Sequence, residues 1–277
     1  AGRLRAAQTG RICGSQYRLQ GTSLIASFHM HTIKQIVGAR DNQEDSCLAA
    51  TLGPETSTAV IPVTLYSVAD GMGGHAGGEI ASQSAVHGFR ESVQEQQHCG
   101  HIELLSAIHH ANQRIREGAR TAPSLRGMGT TLAAALLTGS RLSWISVGDS
   151  PLLLYRDGEV YRLNQDHSML PLLLEEARAA GLGDDYAYRN PRRHQLRSSL
   201  AGQEIGLIDQ GSVDATDKDI FILASDGIDT LSKERIRQVL ASSRHQPLDQ
   251  IAGNLLADID RLAVPHQDNT TLLLFTV

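Results

Sequence analysis

Apolar residues in this chain recur at two spacings. Short β-rich stretches bounded by turn residues predict strands over residues 31–38, 45–50, 59–69, 130–137, 141–147, 151–156, 159–163, 219–224 and 269–275. Pro62 marks the 59–69 strand as an edge or a bulge, because proline gives no N–H to a ladder. Asp157-Gly158, flanked by Tyr155 and Val160, is a hairpin turn signal. Elsewhere the spacing lengthens. Ile102, Leu105, Ile108 and Ile115 repeat with helical period and predict an amphipathic helix over residues 102–120. Further helices are expected over residues 79–97, 170–180 and 233–242, and around Ile251, Leu255, Ile259 and Leu262. Residues 70–78 hold five glycines and read as a loop, and residues 184–203 have no period and read as a long excursion. Strands and helices come in blocks, which argues for an α+β arrangement of antiparallel sheets with helices packed outside.

No repeat, low-complexity tract or linker interrupts the chain after Met30, so residues 30–277 read as one domain. The first 29 residues are rich in Arg, Gln, Ser and Gly and lack the apolar segment of a secretory signal. The chain begins with Ala1, and His29-Met30 is a pair that cloning leaves behind. Residues 1–29 are therefore expected to be a flexible leader or vector-derived extension, with a native start at Met30. The sequence stops just after its last strand, so no C-terminal regulatory domain is expected.

Composition narrows the function classes. A 41% hydrophobic, 20% charged chain of 277 residues can bury a full core. Its net charge of -5 argues against a nucleic-acid binder, which needs a basic surface. Cys13, Cys47 and Cys99 form no CxxC pair, which argues against a disulfide framework or a zinc site. No apolar run is long enough to span a bilayer. Without a signal or membrane segment, the expected location is the cytoplasm.

Four short acidic segments lie at the edges of predicted strands: Arg40-Asp41-Asn42-Gln43-Glu44-Asp45, Asp70-Gly71-Met72-Gly73-Gly74, Ser225-Asp226-Gly227 and Asp268-Asn269. Carboxylates brought together from several rigid elements are what a hard divalent cation requires. A divalent-metal enzyme is the reading these residues favour. Glu44 and Asp45 are adjacent at a strand start, so they should point to opposite faces.

These segments, together with Gly127-Met128-Gly129-Thr130-Thr131, Val147-Gly148-Asp149-Ser150 and Asp166-His167-Ser168, stand in the order found in one family. From Ile33 to Val277 the chain resembles the metal-dependent protein serine/threonine phosphatases of the protein phosphatase 2C (PPM) family, in its bacterial form. The resemblance implies a four-layer α-β-β-α sandwich with two central, mostly antiparallel sheets. It implies two Mn2+ or Mg2+ ions bridged by Asp70, with Gly71 offering its carbonyl, Asp226 and Asp268 as further ligands, and Glu44 and Asp45 acting through water. Arg40 resembles the arginine that forks onto the substrate phosphate. A hydroxide held between the ions would attack phosphorus in line, with no covalent phosphoenzyme.

The match has three departures. Gln43 replaces a frequent Asn. Met72 stands where some members carry a histidine general acid. Thr230, preceded by Asp229, occupies the usual place of the acid that joins Asp149 in a third metal site, so that site is left open. Asp166-His167 resembles a brace beneath the site. The implied substrates are phosphoserine and phosphothreonine on proteins modified by a serine/threonine kinase, handled in signalling by a monomer without nucleic-acid or membrane partners. Two other readings stay open: a pseudophosphatase acting as a binding module, and a small-molecule phosphoesterase on the same fold. Arg189, Arg192, Arg193 and Arg197 make the 184–203 excursion either a flap near the site or a solvated basic loop.

Overall fold

A computed structural model describes residues 30–53, 62–73, 77–99 and 101–277. The expected leader over residues 1–29 and the first residues of the strand expected from residue 59 lie outside them. Two five-stranded antiparallel sheets form the centre. One has the order β1 (His31–Ile36), β12 (Thr270–Phe275), β11 (Ile220–Ala224), β8 (Leu152–Arg156), β9 (Glu159–Arg162). The other runs β10 (Asp209–Asp214), β7 (Arg141–Val147), β6 (Leu132–Thr138), β3 (Val63–Ala69), β2 (Ser46–Leu52).

Three apolar layers hold the sandwich together. Side chains alternate across a strand, so each central strand feeds two of them. In β6, Leu132, Ala134 and Leu136 pack toward α1 (Gly77–His98) and α2 (Leu104–Thr121), while Ala133, Ala135 and Leu137 face the other sheet. In β11, Ile220 and Ile222 pack toward α5 (Lys233–Ser243) and α6 (Leu248–Leu262), and Phe221 and Leu223 face inward. Tyr66 of one sheet stacks on Phe275 of the other with ring centroids 3.9 Å apart, and Phe221 stacks on Phe275 at 5.1 Å. Burying a large apolar side chain is worth about 1.5–3 kcal/mol. With both faces covered, polar alternation disappears from the central strands, and this is why they read as continuous apolar runs.

The expected 130–137 strand is split. β5 (Gly129–Thr130) leaves the large sheet to pair with β4 (Gly71–Met72), and β6 begins at Leu132. Thr131 lies at the break because it binds Asp70 twice: its N–H donates to the Asp70 carbonyl at 2.9 Å, and its hydroxyl accepts from the Asp70 N–H at 2.9 Å. Pro62 marks neither an edge nor a bulge. It precedes β3, which pairs on both sides with β2 and β6, so its missing donor falls outside the ladder. Strand β10 carries no apolar run. Only Val213 is a strong strand former, and Gly211 is required because a Cβ there would sit 2.3 Å from the Trp144 ring. Within the 184–203 excursion one short helix, α4 (Asp185–Tyr188), follows α3 (Leu170–Ala179). Among the described residues no helix is long and apolar enough to cross a membrane.

Candidate functional site

Both sheets deliver acids to the same end of the sandwich. Asp70 follows β3, Asp45 precedes β2 and Asp149 follows β7. From the other sheet, Asp226 follows β11 in a 3-10 turn (Asp226–Thr230), and Asp268 lies just before β12. Asp45 joins the sheets directly. Its Oδ2 accepts from the Ser225 hydroxyl at 2.7 Å and the Thr271 hydroxyl at 2.6 Å, while its Oδ1 is buried with no partner.

The Asp70 backbone is held on every side by Thr130 and Thr131, the Thr130 hydroxyl donating to its carbonyl at 2.7 Å. Its carboxyl group is thereby left to the site. Next to it, close backbone approach demands glycine. A Cβ on Gly71 would lie 2.1 Å from the Gly78 carbonyl oxygen, and one on Gly78 would lie 2.6 Å from Glu44 Oε2. Glu44 thus reaches the start of α1, and Asp45 turns the opposite way, into the space between the sheets.

Arg40 and Asp268 are in contact, Nη2 to Oδ2 at 2.5 Å. The loop carrying Arg40 is pinned by one side chain. Asn269 Nδ2 donates to the carbonyls of Val37 at 2.8 Å and Asn42 at 3.0 Å, and its Oδ1 accepts from the Glu44 N–H at 2.8 Å. Below the site, the ring Nδ1 of buried His167 accepts from the Gly148 N–H at 3.2 Å, and the His167 backbone N–H donates to the Gly148 carbonyl at 3.1 Å. Burial holds its pKa below the ordinary histidine value, which keeps it a neutral acceptor.

The acids raise one another. Burial, and then the charges of Asp45, Asp226, Asp149 and Asp268, push Asp70 well above the usual carboxylate range. Burial and Asp268 raise Asp226, eased by a hydrogen bond with Asp70. Burial, Asp226 and Asp166 push Asp149 up to about 8, against the pull of Arg162. Asp45 rises to about 6, mainly through burial. Burial also raises Glu44, with Arg40 pulling the other way.

This donor set fits divalent cations. It is made of hard oxygens, it is short of positive charge, and it leaves two buried carboxylate oxygens, Asp45 Oδ1 and Asp226 Oδ1, without any hydrogen bond. Among the described residues no three acidic, histidine or cysteine side chains form a finished ligand cage. The carboxylates surround the site instead, with Asp70 turned to Asp226 and Asp268 to Arg40. At the open third position, Asp149 is buried and its carbonyl accepts from Arg162 at 2.5 Å. Thr230 is spent on Gln267, its hydroxyl donating at 2.7 Å, while Asp229 feels the field of Asp226 and Asp166. Met72, paired with Gly129, has no proton to give.

Several residues escaped the sequence reading. Ser225, Thr271, Thr131 and Asn269 were inside the motifs but carried no role; Ser225 and Asn269 stand directly beside an acid, which was a signal, whereas nothing local marked Thr131 or Thr271. Arg162 and His194 had no local signal. They reach the acids only through the packing of β9 and of the 184–203 excursion.

Residues 55–258 match the family model for protein phosphatase 2C. That stretch contains Asp70, Asp149 and Asp226, whereas Arg40, Glu44, Asp45 and Asp268 flank it. The serine/threonine protein phosphatase PstP of Mycobacterium tuberculosis is 32% identical over 219 residues, covering 76% of this chain and 39% of PstP. The chain thus spans well under half the length of that relative. The serine/threonine phosphatase stp of Listeria innocua is 32% identical over 183 residues, covering 64% of this chain and 71% of that protein. The crystal structure of the PstP catalytic domain in complex with two manganese ions aligns with a TM-score of 0.69 at 28% identity, covering 90% of this chain and 97% of the other.

Proposed function

We infer that this chain, which belongs to the protein phosphatase 2C family, hydrolyses phosphoserine and phosphothreonine on proteins with the help of two manganese or magnesium ions. The observation that carries this reading is the meeting of Asp45, Asp70, Asp226 and Asp268 from both sheets, with Arg40 held against Asp268. Asp70, Asp226 and Asp268 would hold the cations, with the Gly71 carbonyl, Glu44 and Asp45 in support and Asp149 beside a third position. When bound, the cations supply Lewis acidity and a nucleophile at neutral pH.

The remaining work falls to the chain. Arg40 receives the phosphoryl oxygens in a two-pronged fork and offsets the charge that builds on them. Its contact with Asp268 keeps phosphate and cations side by side. Asn269 holds the Arg40 loop in place, and Thr131 fixes the direction of Asp70. In this reading the chain works as a monomer on the products of a serine/threonine kinase. Residues 30–277 supply all of these groups, in keeping with a single catalytic domain.

The test is phosphate release from a phosphothreonine peptide, with and without manganese, beside Asp70→Asn. Release that needs manganese and vanishes in the variant is the expected result. No release by the folded, manganese-loaded wild type would overturn the reading.

A further inference from the structure

We propose that residues 192–197 form a docking surface for acidic residues flanking the phosphorylated side chain, so that the preferred substrates are phosphoproteins with acidic sequence around the target site. The proposal rests on the phosphatase reading and adds a substrate preference to it.

The segment is built onto the frame of the acid site. The N–H groups of Met169 and Leu170 donate to the carbonyls of Gln195 and Arg193 at 2.9 and 3.1 Å, and the Arg197 N–H donates to the His167 carbonyl at 2.8 Å. Ser168 pairs with Leu196, and Leu200 pairs with Thr130, the residue whose hydroxyl holds the Asp70 carbonyl. The stretch from 193 to 200 therefore runs antiparallel to the chain leaving Asp166 and ends against the backbone of the site. His194 lies in the field of Asp229, Asp166 and Asp268, at the rim of the acids.

The turn is also internally fixed. The Asn190 side chain accepts from the Arg192 N–H at 2.9 Å, its carbonyl accepts from the Arg193 N–H at 3.1 Å, and the Arg192 carbonyl accepts from Gln195 at 2.9 Å.

Its charge is left open. On the same excursion Asp184 is paired by Arg178 of α3, and Arg189 pairs with Asp185. Arg192, Arg193 and Arg197 make no ion pair among the described residues. Three unneutralised guanidinium groups within six residues, on a chain of net charge -5, form a local basic field against an acidic background. Arginine pairs with carboxylates in a planar, two-pronged geometry. An acidic peptide whose phosphate sits at Arg40 would lay its flanking carboxylates on this rim.

The experiment compares two phosphothreonine peptides, one flanked by glutamates and one by glutamines, together with p-nitrophenyl phosphate, which is too small to reach the rim. Wild type with manganese should favour the acidic peptide by about 10-fold in kcat/KM at low salt, less at high salt. Arg192→Glu/Arg193→Glu should lose that preference while keeping turnover of p-nitrophenyl phosphate; Arg192→Lys/Arg193→Lys, which keeps the charge without the planar fork, should keep only part of it. Equal rates on both peptides for wild type would overturn the proposal. So would a glutamate variant that slows all three substrates alike. Failure of wild type on all three would sink the phosphatase reading, and the docking surface with it.

Discussion

Asp219 and Asp149 are both buried carboxylates, and they behave in opposite ways. Asp219, with no exposure, is held below the ordinary aspartate value. Burial pulls it up, but the Arg156 fork at 2.8 and 2.6 Å and the Thr216 N–H at 2.7 Å outweigh that. Asp149, 7% exposed, is pushed up to about 8, first by burial and then by Asp226 and Asp166, and the pull of Arg162 does not offset them. Asp258 is likewise paired, clamped between Arg235 and Arg261, whereas Asp45, Asp70 and Asp226 are raised as Asp149 is. A buried charge is costly unless paired. Where the chain supplies its own counter-charge to a buried acid that stands apart from the others, as at Asp219 and Asp258, the acid is structural. Where it withholds one from several acids at once, it leaves a place for cations.

The sharpest way to break this contrast is to neutralise one acid of each kind. Asp226→Asn should lower turnover at least about 1,000-fold, since it removes a cation ligand at the centre of charge stabilisation. The same change should leave the metal-free protein as stable as wild type or more so, because repulsion is relieved. Steady-state kinetics and a thermal melt in chelator check both halves.

Asp219→Asn should do the reverse. Turnover per folded molecule stays unchanged, while stability falls by about 2–3 kcal/mol in urea unfolding. That is below the usual cost of breaking a buried pair, because Arg156 is 30% exposed and water can reach it.

pH separates the two classes further. Asp45 and Asp149 bind protons more tightly folded than unfolded. In the metal-free protein their contribution is complete below the unfolded value of about 3.9 and is lost as pH rises through about 6 and about 8. Asp219 has a lowered pKa, so its contribution is present above that unfolded value and is lost only on acidification. The melting temperature of chelator-treated protein should therefore fall between about pH 5 and about pH 8, and manganese should restore it. A melting temperature that rises across that window would contradict the charge pattern of the site.

A smaller effect is expected at Asn269. Asn269→Ala frees both ends of the Arg40 loop, and KM for a phosphopeptide should rise by about 10-fold with a lesser change in kcat. The smallest is expected at the exposed Arg141–Asp214 pair, where Arg141→Ala should cost less than about 1 kcal/mol in urea unfolding and leave activity alone.

Some of this was legible from local pattern. The central strands, the two helix pairs and the acidic residues at strand ends all follow from apolar spacing and turn chemistry within a few residues. Strand β10 was not, since its edge position tolerates polar residues and its pairing depends on Trp144 in another strand. The break at Thr131 was hidden too, because a β-branched residue there fits a continuous strand equally well until Asp70 is seen to claim it.

The amino-acid sequence by itself determined which acids the chain carries, that they sit at strand ends, and that the strands are buried on both faces. Those properties depend on periodicity and burial, which neighbouring residues encode. Only the tertiary structure decided that Asp45 would bind Ser225 and Thr271, 180 and 226 residues away, that Arg40 would meet Asp268, and that residues 193–200 would pair with the backbone of residues 167–170 and of Thr130. Those contacts exist because two sheets pack face to face, and no local pattern reports which strand ends that packing brings together.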